Sequence, residues 1–196
     1  MLRVGVLASH QGTNFQAIAD ACADGTLDAC VAVLICNNSG AAVMQRAQKA
    51  GIPACHLSSA THPDEALLDK AICNALTQAE TDLVVLAGYM KKLGPMVLRD
   101  FEKRIINVHP SLLPRHGGKG LYGRRVHEAV LAAGDEKTGA TVHFVNAEYD
   151  KGDILKQESF TIAQGETEAS LAGRVHEIEH RLLLDTIKLI SRRKVG

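Results

Sequence analysis

Asn107 and His109 are the residues whose types and spacing most directly suggest chemistry. They lie in INVHPSLLPRHGGKG, residues 105–119, where a short apolar run ends in two polar side chains and a proline. Ile105, Ile106 and Val108 favour a buried strand. Side chains alternate along a strand, so Asn107 and His109 share one side of it. Pro110 cannot donate to a sheet ladder, and the strand ends there. A hydrogen-bond donor and a proton carrier thus sit together where a strand opens into a loop. That loop, residues 115–123, carries Gly117, Gly118, Gly120 and Gly123, which ease large backbone excursions, so a lid is expected here.

Three further stretches have chemical potential. In ASHQGTN, residues 8–14, Gly12 lets the backbone approach a ligand, and Thr13 or Asn14 can cap a following helix whose N-H groups form an anion site. The dinucleotide pattern G-x-G-x-x-G is absent, and an ordinary strand-to-helix turn fits these residues too. In LAGYMKKL, residues 86–93, Gly88 ends a strand, and Tyr89 and Met90 either line a pocket or pack the loop onto the core. Lys91 and Lys92 are expected in solvent. In EYDKGD, residues 148–153, Asp150 suits a turn, and spacing alone does not bring it to His109. His176 and His180 stand at i, i+4 but read as a surface or substrate-contact pair rather than metal ligands. No metal is expected.

The elements that must position these residues alternate along the chain. β-rich runs occur at residues 3–8, 30–36, 83–87 and 104–108, with a weaker one at 54–57. Helical patterns fill 14–23, 41–50, 64–77 and 95–101. Apolar strands separated by helices predict an open, mostly parallel, Rossmann-like α/β sheet with helices on both faces. Strand candidates at 140–146 and 154–161, joined by a short polar turn, add an antiparallel C-terminal member. A long helix from Glu166 to about Ser191 follows. No regular element is predicted between Pro110 and Gly139. The chain is expected to form one domain, residues 1–196, long enough to bury about 70% of its unfolded surface.

Composition narrows the function class. Formal net charge is zero and, outside the tail SRRK, basic residues are scattered, which argues against a nucleic-acid surface. Five cysteines form no C-x-x-C pair, as expected of reduced thiols. MLRVGVLAS is too brief a segment for a signal peptide, and no run of 18 apolar residues exists. A cytoplasmic protein acting on small molecules, with no membrane or nucleic-acid partner, is expected, as a monomer or homodimer. A receiver-type binding module would want acidic residues after the first strand, where this chain has Ala8, Ser9 and His10.

The run N-V-H-P-S-L-L-P from Asn107 to Pro114, preceded by LAGYM and followed by GATVHFV and D-x-G, resembles the folate-dependent formyltransferases. The likeness runs from VGVLASHQGTNFQAI to EIEH and is nearest to the branch acting in de novo purine synthesis. Branches that act on initiator tRNA or hydrolyse the donor carry further domains. The resemblance implies 10-formyltetrahydrofolate as donor and the amine of 5-phosphoribosylglycinamide as acceptor. It implies a catalytic set of Asn107, His109 and Asp150, phosphate contacts at Gly12, Thr13 and Asn14, and a ribose contact at Glu179. Met90, Lys91, Lys92 and Leu93, with Asn107, would border the folate. In that setting Asn107 donates to the formyl oxygen, while Asp150 beside His109 is expected to raise the imidazole pKa. Two departures bear on the folate edge. RHGGKGLYGRRVH is longer than the common pattern, and THPDEA stands where many relatives carry an arginine.

Overall fold

Apolar runs flanked by helical segments become strands because both of their faces can then be buried. In the computed structural model, which describes residues 1–194, the chain order is β1 (Leu2–Ala8), α1 (Thr13–Ala23), β2 (Ala29–Cys36), α2 (Ala42–Lys49), β3 (Ala54–His56), α3 (Glu65–Gln78) and β4 (Leu83–Leu86). It continues with α4 (Pro95–Asp100), β5 (Ile105–His109), α5 (Arg124–Ala132), β6 (Lys137–Phe144), β7 (Ile154–Thr161) and α6 (Glu168–Lys194). The strands form one sheet in the order β3-β2-β1-β4-β5-β6-β7. Among the strands of the described residues β6 alone runs against the others, since it pairs antiparallel with both β5 and β7. The expected mostly parallel α/β sheet with an antiparallel C-terminal member is therefore present.

Two cores cover the two faces of the sheet. On one, Val4, Val6, Val85, Ile106 and Val142 pack with Phe15 and Ile18 of α1 and with Leu182 and Leu183 of α6. On the other, Leu7, Ile35, Val84, Leu86 and Ile105 pack with Ile72 and Leu76 of α3 and Val97 of α4. Alternation puts Asn107 and His109 on the face of Ile105. Among the described residues, no helix is long and apolar enough to cross a membrane.

Two expectations are corrected. α5 forms where no element was predicted, because Val126 and Val130, four residues apart, bury against Leu171 of α6. Glycine-rich sequence on its N-terminal side obscured that pattern. β6 begins at Lys137, three residues earlier than expected, because Gly139 lies in the strand rather than breaking it. A Cβ there would come within 1.8 Å of the Glu158 carbonyl oxygen of β7.

The loop from Gly88 to Gly94 is anchored at both ends. Buried Ser9 accepts from the Met90 N-H at 2.8 Å and donates to Asn37 Oδ1 at 2.6 Å. At the other end α4 has no cap of its own, and buried Asp69 of α3 supplies one by accepting from the N-H groups of Met96 and Val97. A Cβ on Gly94 would lie 2.2 Å from the Asp69 carboxyl carbon. Gly94→Ala must therefore displace that cap, and we expect a loss of about 2 kcal/mol of stability in urea denaturation. A variant as stable as the native chain would show that the loop and α4 do not depend on Asp69.

Candidate active site

Strand order reverses between β1 and β4, where an open α/β sheet leaves a crevice at the carboxyl ends of its strands. The segments after β1, β4 and β5 meet there around a cavity of about 760 Å3. Its apolar wall includes Leu86, Met90, Leu93 and Val145, and its polar side chains include Asn107, His109, His143 and Asp150. An apolar chamber with a few convergent polar groups suits a small-molecule site.

The antiparallel register of β5 and β6 puts His143 opposite Asn107 and Thr141 opposite His109. All four side chains therefore share a face. The connection from β6 to β7 is not a short turn. It folds back over that face, with Asp150 in the left-handed region at φ 54°, so that the Asp150 carboxylate lies 3.6 Å from both His109 Nδ1 and His143 Nε2. Asn107, His109 and Asp150 are thus brought together, which spacing alone could not show.

Hydrogen bonding defines how these groups are oriented. His109 Nε2 donates to the His116 carbonyl at 2.8 Å, since a carbonyl can only accept. In the neutral ring Nδ1 is then bare and faces the carboxylate, an arrangement relieved when His109 takes up a proton. His143 Nδ1 donates to the Phe144 carbonyl at 2.8 Å. Its Nε2 therefore accepts from the Asn107 amide at 3.1 Å, leaving the second amide hydrogen of Asn107 for a ligand oxygen. Behind them, buried Thr141 donates to the Ser111 carbonyl and accepts from the Leu113 N-H and the Gln157 amide. This network holds the turn after His109.

Asp150 pulls the His109 pKa upward as expected, but the net shift is the reverse. Burial pushes the His109 pKa below the ordinary imidazole range, and the upward pulls of Asp150 and of the His116 carbonyl do not overcome it. For Asp150, burial pushes upward, but His143 and His109 whenever their rings are protonated, and the Gly118 N-H at 2.8 Å, hold the carboxyl below its ordinary value. The resting pair is a neutral imidazole beside a carboxylate, poised to become an ion pair on proton uptake.

The remaining candidates line the same cavity, with changes of detail. Gly12, rather than Thr13 or Asn14, is the N-cap of α1, and no side chain caps that helix. Its N-terminal N-H groups thus face the crevice together with Asn14, whose buried Oδ1 has no protein partner. The need for glycine at position 12 arises from its φ of 70° and from Val43 of α2, whose Cγ2 would lie 2.3 Å from a Cβ. Met90 is half-buried and Leu93 belongs to the core, whereas Lys91 and Lys92 are exposed. Lys92 stacks over the Tyr149 ring at 5.6 Å, on the cavity rim. Buried Glu179 lies 3.7 Å from His176 Nε2, and desolvation pushes its pKa up to about 8.

His143 and His127 line the cavity without having been singled out as site residues, and His176, read as a surface or substrate-contact residue, lines it too. His143 sits in the quoted GATVHFV, but its place opposite Asn107 needed the strand register. His127 went unnoticed together with α5. It is 2% exposed, its Nδ1 has no protein partner, and burial, with His176 and His109 adding, pushes its pKa down to about 4. The loop at 115–123 lies against the site through the His116 carbonyl and the Gly118 N-H.

Because Asp150 raises the His109 pKa against the pull of burial, Asp150→Asn is expected to lower it further. Titration of the His109 ring by NMR measures this. An unchanged titration midpoint would mean that the two groups do not couple.

The geometry has counterparts among known proteins. Residues 2–187 match the family model described as formyl transferase. The phosphoribosylglycinamide formyltransferase of Haemophilus influenzae is 38% identical over 188 residues, covering 96% of this chain and 86% of that protein. The chloroplastic phosphoribosylglycinamide formyltransferase of Arabidopsis thaliana is 37% identical over 98% of this chain. The chain spans 66% of the length of that relative and 62% of the Vigna unguiculata one. The crystal structure of glycinamide ribonucleotide transformylase 1 from Symbiobacterium toebii superposes with a TM-score of 0.92 at 38% identity, covering 98% of this chain and 88% of that one. By sequence and by fold, the chain belongs to the formyl transferase family.

Proposed function

We propose that this protein transfers the formyl group of 10-formyltetrahydrofolate to the amine of 5-phosphoribosylglycinamide, the reaction of phosphoribosylglycinamide formyltransferases. The observation that carries this reading is the convergence of Asn107, His109 and Asp150 at one end of the cavity in a formyl transferase fold. The apolar wall suits a folate ring system, with Met90, Lys91, Lys92 and Leu93 along its border. The uncapped start of α1, at Gly12, Thr13 and Asn14, suits the acceptor's phosphate, and Glu179 suits its ribose. The reduced cysteine pattern agrees with a cytoplasmic setting.

The chemistry follows from the residue types. The acceptor amine attacks the formyl carbon, negative charge develops on the formyl oxygen, and the carbon–nitrogen bond to the folate breaks. Asn107 donates its free amide hydrogen to that oxygen, its other hydrogen being held by His143. The attacking amine loses a proton and the departing folate nitrogen gains one. His109, resting neutral, can take up the first, and its imidazolium is then stabilised by Asp150. An imidazolium so formed can return its proton to the leaving nitrogen. Burial of the pair limits access of water to the activated formyl group.

The direct test is formation of tetrahydrofolate with and without the ribonucleotide. Turnover without an amine acceptor would identify a hydrolase, and turnover only with charged initiator tRNA would identify another branch of the family. In the productive assay Asn107→Ala and His109→Asn are each expected to lower kcat by about 100-fold or more, with small changes in KM. Raised KM with kcat intact would remove these residues from the chemistry.

Glu179 gives a pH prediction with a definite sign. Its raised pKa keeps the carboxyl neutral at pH 7, and the charge appears as pH rises through about 8. Because the unfolded chain ionises at the ordinary carboxylate pKa, folding stability from the neutral group is full below that value, falls as pH rises from there to about 8, and is fully lost above it. Glu179→Gln, permanently neutral, should hold its melting temperature better than the native chain as pH rises from about 5 to about 8, with parallel profiles above that, while keeping acceptor affinity at pH 7. Parallel stability profiles for the two proteins across that rise would show that Glu179 is already charged at neutrality.

A further inference from the structure

Asp135 has no place in the cavity, yet it is connected to the reacting end of it. It follows α5, after Gly134 at φ 66°, and its side chain is 8% exposed. One carboxylate oxygen accepts from His116 Nε2 at 2.8 Å, and the other accepts from Arg115 Nη2 at 2.5 Å. A buried carboxylate engaged by two adjacent residues holds a short backbone segment tightly. His116 itself sits in the left-handed region at φ 53°, where a non-glycine residue needs support from its surroundings.

The segment so held touches both members of the catalytic pair. The His116 carbonyl accepts from His109 Nε2 at 2.8 Å, and two residues on the Gly118 N-H donates to Asp150 Oδ2 at 2.8 Å. On the near side, Ser111 Oγ donates to the Arg115 carbonyl at 2.7 Å. Between the two contacts, Gly117 passes so close to Leu113 that a Cβ would meet its Cδ2 at 2.4 Å. The segment is therefore pinned by Ser111 and Leu113 from inside and by Asp135 from outside.

We propose that Asp135 is a positioning residue for the transfer reaction. By clamping Arg115 and His116 it aims the His116 carbonyl at His109 Nε2, and so holds His109 in the tautomer whose lone pair faces Asp150. This rests on the role given to His109 above, but the tautomer itself can be read without any substrate. Loss of the clamp frees the carbonyl to turn away. The hydrogen of the neutral ring is then shared between Nε2 and Nδ1, and a fraction of molecules presents Nδ1-H to the carboxylate instead of a proton acceptor.

The test is two-bond nitrogen–proton NMR of the His109 ring in the ligand-free protein, alongside steady-state kinetics, for Asp135→Ala and His116→Gly. Glycine accepts the positive φ at 116, so the second variant removes the imidazole arm without backbone strain and stands in if the first does not fold. Both variants are expected to shift His109 from an Nε2-H pattern to a mixed one, and to lower kcat by about 10-fold with KM little changed. An unaltered Nε2-H pattern would overturn the proposal whatever happens to kcat, because a kinetic loss would then reflect scaffolding alone. A mixed pattern with native kcat would support the clamp and refute the catalytic role of His109.

Discussion

Antiparallel pairing of β6 against β5 is the constraint on which the site depends. It sets His143 across from Asn107 and Thr141 across from His109, and it starts the connection that returns Asp150 to the same face. A slip of one residue would turn His143 and Thr141 to the opposite face and leave Asn107 and His109 without their partners. Burial of Val142 and Ala140 in one core and the insertion of Thr141 into the turn after His109 oppose that slip. Gly139 contributes in another way, since β7 passes too close to its Cα for any side chain. The register is thus held by packing on one face and by polar contacts on the other.

Within that frame the charges are balanced by opposing effects. Burial disfavours the imidazolium of His109, and the carboxylate of Asp150 favours it, with burial the stronger. A site in which the carboxylate won would hold its proton at rest and could not accept one from an attacking amine. Here the ring rests neutral, and in the reaction we propose the carboxylate acts when charge develops. His127 extends the same logic, because its buried ring is held neutral next to His176. The acidic member of that corner, Glu179, is pushed up by desolvation, so it, like His127, adds no fixed charge at neutrality.

The segments around the cavity are held by residues remote in sequence. Ser9 ties the loop after β4 to the end of β1, and Asp69 of α3 caps α4 beyond that loop. Val43 of α2 presses on Gly12 and sets the entry to α1. Each contact joins the carboxyl end of one strand to an element from another part of the chain. These contacts tether the loops around the cavity to the sheet and its helices.

Much of this was legible from the residues alone, and the limit has a physical cause. Hydrophobic runs, helical periodicity and the break at Pro110 determined the α/β class and five parallel strands, because burial on both faces demands that pattern. Alternation determined that Asn107 and His109 lie together, and the N-V-H-P-S-L-L-P run determined the kind of chemistry to expect. What only the tertiary structure decided were contacts across long sequence separations. They include Asp150 beside His109, His143 on Asn107, helix α5 with His127, and the sign of the His109 pKa shift. Strand register depends on which face each neighbour buries, and a pKa depends on how completely water is excluded. Neither quantity belongs to any single stretch of sequence; both arise when the sheet, its helices and its loops close around the same few side chains.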